Sequence, residues 1–415
     1  MGAVAEERPH NKTLDFVSAF LSFETFYTLF LFAGRFKADP RFSSIPVDLT
    51  LLFFVFSFFL GTYIVIRRRF RINAGALFLF SAASGFFIWV MVSFCWTPGS
   101  VYALQKMARI IPITLWSFLA TAFIISPDSR RVKRFLWCLV VFAVWIALET
   151  IKADAVFGQR VISVLGGNYL GVGRTVGPAI IIVFVYMLFE KKIFNKILLF
   201  SAFIIFLSAL LVARGRGPFL ATLAAFMVPI LLSMGMKADR KYQLKFFFKS
   251  YALPAILLYL SIAMIVGYLF ISGHLTSTMQ RFVLFFTKLG ASADVRLFDY
   301  QTSWTLFEKN PVVGYGIGSW PLLAGFPDMR GYPHNIILEI LVEMGMVGAF
   351  FFFIFLFAGV TRLLSEKISN NPQRMIILAL FVNAFVNAML SGDIPDNRFL
   401  FSVVGLMCLN SRNPE

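Results

Sequence analysis

The sequence predicts an all-α polytopic membrane protein, and three observations predict it. The 415 residues are 59% hydrophobic and only 14% charged, with a mean hydropathy of +0.79. Soluble domains are about 45–50% apolar and about a quarter charged, so this composition excludes an ordinary water-soluble fold. Apolar runs recur along the whole chain, and about 20 such residues suffice to cross a hydrocarbon core of about 30 Å. Loops rich and poor in Lys and Arg alternate, as successive spans require under the positive-inside rule.

Taken in order, the apolar runs place twelve spans, at roughly 14–34, 48–66, 73–96, 101–125, 135–151 and 169–189, then 197–213, 218–236, 250–271, 335–358, 375–391 and 399–410. The opening "MGAVAEERPHNKTLDF" lacks the basic-then-apolar order of a cleavable signal, so the first span is expected to remain. Loops 67–71, 126–134, 190–196, 237–249 and 361–374 carry nineteen Lys and Arg, against eight in loops 35–47, 97–100, 152–168, 214–217 and 391–398. That asymmetry predicts both termini in the cytoplasm. It also accounts for much of the formal net charge of +17 without nucleic acid as a partner. Cys95, Cys138 and Cys408 fall within apolar runs and read as small core residues rather than a disulfide framework. No repeat or composition break divides the chain, so residues 1–415 form one integral membrane domain.

One outer connection, 272–334, is far longer than the rest and is expected to form a subdomain of amphipathic helices within that domain. "RFVLFFTKL" (281–289) and "VRLFDYQTSWTLFEK" (295–309) space their apolar residues by three and four, with charge on the other face. The connection ends on His334, in "GYPHNIILEILVEMGMVGAFFF" (331–352). Of the three histidines, His10, His274 and His334, it alone is pressed against a membrane-grade segment.

Basic residues on the outer side or within spans are not explained by topology. Arg214 and Arg216 lie in "LLVARGRGPFLA", Arg281, Arg296 and Arg330 in the long connection, Arg174 in the sixth span, and Lys106 and Arg109 in the fourth. A charge at membrane depth is costly, so it is paired, snorkels to the headgroups, or serves a function. Several of these arginines flank the one connection that ends on His334, which points to a shared anion site. Arg is suited to bidentate phosphate recognition, and a lipid phosphate or diphosphate is the anion that reaches the outer boundary. The glycines of "RGRG" would let backbone N–H groups approach such a ligand, and Pro218 suits the first turn of a helix.

Asn335, Glu339 and Glu343 fall at i, i+4 and i+8, so they share a helix face turned into the bundle, with His334 at its top. Two roles are open to His334. It can cap the helix, or, neutral beside a phosphate cluster, it can take a proton from a sugar hydroxyl. Asp393 and Asp396 in "SGDIPDNR" could hold a metal, and their spacing fits equally an outer loop that hydrogen-bonds sugar or pairs with arginine; Arg398 closes that loop. No HExxH, cysteine cluster or phosphate-binding glycine loop is present, so neither a metal nor a nucleotide cofactor is expected.

The segments "RGRGP", "VRLFDYQTSWTLFEKNPVVGYGIGSW", "YPHNIILEILVEMGMVGAFFF" and "SGDIPDNRFLF" resemble the bacterial O-antigen ligase and O-antigen polymerase superfamily over roughly 205–400. The resemblance implies a metal-independent GT-C-type glycosyltransferase of the inner membrane with its site on the periplasmic side. It implies transfer of a glycan from undecaprenyl diphosphate to an acceptor sugar of surface polysaccharide. The acceptor is a growing lipid-linked chain for a polymerase and the lipid A–core for a ligase, and the reading leans to polymerase. Membrane lipids and a chain-length regulator are the other partners expected. Carried over residue by residue, the catalytic histidine is His334, and the diphosphate-binding arginines are Arg214 or Arg216 and Arg296, with Arg281 as a stand-in for Arg296. Arg174, Asn335, Glu339, Asp393 and Arg398 are expected to support the site or touch substrate. The reading of a different class is a small-solute transporter, in which Lys106, Arg109 and Arg174 would line a path.

Overall fold

A computed structural model describes residues 21–67, 76–157, 164–213, 215–234, 291–365, 368 and 371–409. The chain runs through α1 (Phe23–Phe32), α2 (Leu49–Arg67), α3 (Leu77–Ser93), α4 (Val101–Ile125), α5 (Ser129–Phe157) and α6 (Tyr169–Phe189). It continues through α7 (Ile193–Ala213), α8 (Arg216–Met234), α9 (Ala291–Lys309), α10 (Ile336–Leu364), α11 (Pro372–Leu390) and α12 (Arg398–Leu406). Among the described residues there is no strand, only an isolated bridge between Val164 and Gly167.

Among the described residues, eight helices are long and apolar enough to cross a membrane: α2, α3 extended to Trp96, α4, most of α5, α6, α7, α10 and α11. The expectation was twelve. Of the expected spans at 14–34 and 399–410, residues 14–20 and 410 lie outside the described residues and the rest holds α1 and α12, while α8 offers a shorter apolar stretch, Arg216–Leu232. The expected span 250–271 lies outside the described residues.

Hydropathy makes each helix a membrane segment, and packing decides its depth in the bundle. The apolar window of α6 is 78% buried and that of α2 only 22%, so α6 is central while α2 turns Leu51, Phe56, Phe59 and Ile66 to lipid. Small residues let α6 approach its neighbour α8, since a Cβ at Gly173 or Gly177 would stand 2.5 Å from Pro218 or Thr222. One apolar core joins α1, α5, α6, α7 and α11, and a second joins α3, α4, α10 and α12.

Residues 35–48, 97–100, 164–168 and 391–397, together with the start of α10, gather at one end of the bundle. There Asp328 accepts from the N–H groups of Ser100, Val101 and Tyr102 at 3.0, 2.8 and 3.0 Å, and Arg330 pairs with Asp393. Glu24 with Arg131, Ser129 with Gln373, and Arg374 with the carbonyls of Leu363 and Leu409 mark the opposite end.

α10 breaks at Gly345, where φ is +65° and ψ −166°. The segment "NPVVGYG" (310–316) fills the break. Val342 and Glu343 carbonyls accept from the N–H groups of Tyr315 and Gly316 at 2.9 and 2.7 Å, and Met346 N–H donates to Pro311 at 2.8 Å. A Cβ on Gly345 would stand 2.2 Å from the Val312 oxygen, so both the left-handed φ and the contact require glycine. The glycine-rich turn thus holds the helix that begins just after His334.

The long connection departs from expectation in its polarity. α9 turns Asp299, Ser303 and Leu306 inward and leaves Val295, Leu297, Phe298 and Trp304 exposed. Its buried face is partly polar because Trp320 Nε1 donates to Ser303 Oγ at 2.8 Å. Residues 272–290, with "RFVLFFTKL", lie outside the described residues.

Candidate functional site

Asn335, not His334, caps α10. Its side-chain oxygen accepts from the N–H groups of Ile337 at 2.9 Å and Leu338 at 3.1 Å, which leaves the histidine one residue outside the helix. His334 has φ +56°, a left-handed value that costs a non-glycine residue energy and is retained where the surroundings enforce it. The Tyr332 ring meets the imidazole edge-on at 4.7 Å between centroids. The ring is half-buried, and its Nδ1 makes no hydrogen bond among the described residues. Burial, then the charges of Arg296 and Arg174, hold the imidazole below its ordinary pKa of 6.5. The side chain is therefore neutral at pH 7 and able to accept a proton.

The two arginines come from different parts of the chain. Arg296 lies in the first half of α9, half-buried, and its charge also acts on Asp299 and Tyr300. Arg174 lies in the second turn of α6, where Nη2 donates to the carbonyls of Asn387, at 2.9 Å, and Ser391. Arg216 opens α8 and is exposed. Its neighbours Gly217 and Pro218 lie against Leu390 and Gly173, so it stands at the same end of the bundle. Arg214 and Arg281 lie outside the described residues.

The carboxylates divide into two sets. Asp393 accepts from Arg330 Nε at 3.2 Å and Nη2 at 3.3 Å, while Asp396 accepts from Arg330 Nη2 at 2.5 Å. Of the roles open to this loop, the arginine pairing is the one seen. Burial opposes the Arg330 charge, but Asp393 and Asp396 outweigh it and hold the guanidinium above its ordinary range. Burial and then the Asp396 charge push the Asp393 carboxyl up, against the pull of Arg330.

Glu339 and Glu343 do turn into the bundle, where both meet Lys106 of α4. Lys106 Nζ lies 2.6 Å from Glu339 Oε1 and 2.6 Å from Glu343 Oε2, with all three side chains fully buried. Glu339 Oε1 also accepts from Ile394 N–H at 3.2 Å. Glu339 thus braces the 391–398 loop from beneath. The two glutamates enclose the Lys106 ammonium.

Arg398 opens α12 and reaches back to the end of α1. Its Nε donates to the Leu31 carbonyl at 2.9 Å and its guanidinium lies over the Phe30 ring at 5.1 Å. Sequence reasoning did not single out Arg35, which shares a cleft with Arg174 and Arg398. The signal was present: Arg35 lies in loop 35–47, which the charge asymmetry assigns to the outer side, where positive charge is not rewarded, as with the "RGRG" pair.

Known proteins supply a consistent family. The O-antigen ligase family model matches residues 200–353. A Rickettsia conorii protein provisionally named a polysaccharide ligase is 28% identical over 115 residues. That match covers 25% of this chain and 28% of the relative's length. Over residues 200–353 the chain is similar to the O-antigen ligase family, and its apolar helices make it a multi-pass membrane protein. These matches give no support to the lean toward polymerase.

Proposed function

We propose that the chain is a glycosyltransferase that moves a glycan from a polyprenyl diphosphate carrier to a sugar hydroxyl, at the outer face of the bacterial inner membrane. The observation that carries this reading is the neutral, half-buried His334 held under the charges of Arg174 and Arg296 at one end of an apolar bundle. Arg174, Arg296 and Arg216 would bind the diphosphate and stabilise the negative charge that grows as the anomeric C–O bond breaks. Diphosphate is a good leaving group, so no general acid is needed. His334 would take the proton of the attacking hydroxyl, and in-line attack would invert the anomeric carbon. Guanidiniums take the place of a divalent cation in this scheme, so transfer should persist in EDTA.

On the names of the family and the relative, we take the ligase form, in which the acceptor is the lipid A–core, as the one to test. The surface glycans of a deletion strain test it. Long chains accumulating on the lipid carrier are the expected result. Single repeat units on the core would turn the reading to polymerase, and unchanged glycans would overturn glycan transfer itself.

A further inference from the structure

An open cleft lies between the end of α1, the start of α6, α11 and the start of α12. Three guanidiniums line it, those of Arg35, Arg174 and Arg398. Arg174 is tied to carbonyls through Nη2 and Arg398 through Nε, which leaves the other N–H groups of each for the cleft. Arg35 makes no hydrogen bond among the described residues. Each passes a glycine: a Cβ at Gly171 would stand 3.1 Å from Arg35 Nη1, one at Gly392 3.1 Å from Arg174 Nη1, and one at Gly34 4.0 Å from Arg398 Nη2.

Charge is not balanced among the described residues. The one carboxylate among the described cleft residues, Asp396, is engaged from outside by Arg330. Counting Arg330 with the three cleft arginines, four guanidiniums face two carboxylates, Asp393 and Asp396. The excess is two positive charges in partly buried surroundings, the complement of a phosphoryl dianion. Aromatic and aliphatic cations would be repelled, and a neutral sugar would leave the forks unpaired.

We propose that the Arg35–Arg174–Arg398 cleft binds a phosphoryl oxyanion, with Arg35 contributed by the part of the chain that precedes the family-matched segment. The group belongs to the diphosphate of the lipid carrier or to a phosphate on the acceptor sugar, and this choice of source rests on the glycan-transfer reading. The anion site itself does not.

The test uses the full-length protein in detergent, with inorganic pyrophosphate as probe and calorimetry and thermal unfolding as readouts. Pyrophosphate should bind and raise the melting temperature. Arg35→Gln should weaken binding about 10- to 100-fold, the worth of a charge-assisted hydrogen-bond pair, and Arg35→Lys should recover only part, having no fork. Arg41→Gln is the control. That arginine is exposed and paired with Asp39 and Glu149 nearby, and binding should not change. Gly171→Ala displaces Arg35 without removing its charge, and stands in if Arg35→Gln does not fold. In transfer assays a raised donor KM in Arg35→Gln assigns the group to the carrier, and a raised acceptor KM to the acceptor. Pyrophosphate binding that is absent from the wild type, or equal in Arg35→Gln, Gly171→Ala and the control, would overturn the proposal even if transfer activity is found. Binding lost as predicted without any transfer activity would uphold the site and sink only the reaction.

Discussion

Arg330 donates to Asp393 at 3.2 and 3.3 Å, across 63 residues of chain, and so ties the segment that ends on His334 to the loop that carries Asp396 and Arg398. Asp393 is 1% exposed and Arg330 41%, so most of the cost of breaking the pair falls on the buried carboxylate. Arg330→Ala should lower stability by about 1–2 kcal/mol, discounted because the guanidinium reaches water. Transfer activity should fall further than stability explains. Thermal unfolding beside turnover on the same preparation checks both.

The Lys106–Glu339–Glu343 cluster predicts a non-additive series. Lys106→Met leaves two buried carboxylates without their cation and should cost about 3–5 kcal/mol. Adding Glu339→Gln and Glu343→Gln should recover part of that loss, because the triple variant buries no charge. Melting temperatures of the single and triple variants decide it, and a triple variant less stable than the single would contradict the electrostatic account.

Two glycines of similar conformation separate backbone strain from crowding. Gly325 has φ +83° and nothing within 4 Å of a built Cβ, so Gly325→Ala should cost about 1–2 kcal/mol, the usual left-handed penalty. Gly345 has φ +65° but meets the Val312 oxygen at 2.2 Å. Gly345→Ala should therefore cost clearly more, and should loosen the Tyr315 and Gly316 hydrogen bonds to α10. Hydrogen exchange at those two amides is the direct readout.

These residues also show how far the sequence could be read. Hydropathy found each of the eight long helices because lipid rewards apolar length directly. It could not tell a spanning helix from the nine-residue α12, whose depth depends on packing. The i, i+4, i+8 spacing correctly turned Glu339 and Glu343 inward, but their partner Lys106 lies more than two hundred residues away and carries no local signal. The same distance hid Arg35: its charge was visible on the outer side, but its neighbourhood with Arg174 and Arg398 is a property of the bundle. The cap could have been read closer, since Asn is a stronger cap than His, and it stood next in the chain.

The pH dependence of transfer follows from the His334 environment. Burial, then Arg296 and Arg174, lower its pKa, so the neutral form persists somewhat below the ordinary 6.5 and kcat/KM falls only as pH drops through that lowered value. Removing a neighbouring positive charge stabilises the imidazolium and raises the pKa. Arg296→Gln and Arg174→Gln should therefore shift the acid limb of the kcat/KM profile to higher pH, besides lowering its plateau. A limb that stays in place would assign it to another group.

The most direct measurement separates donor binding from turnover in His334→Ala. The account predicts a correctly folded protein whose affinity for the lipid-linked donor is nearly intact, because the arginines hold the diphosphate, while turnover drops about 10²–10⁴-fold, the usual worth of a general base. Raising the pH should restore part of the loss, as hydroxide takes over the acceptor's proton. A folded His334→Ala protein with near-normal turnover would contradict the account and leave the histidine as nothing more than the residue before a helix cap.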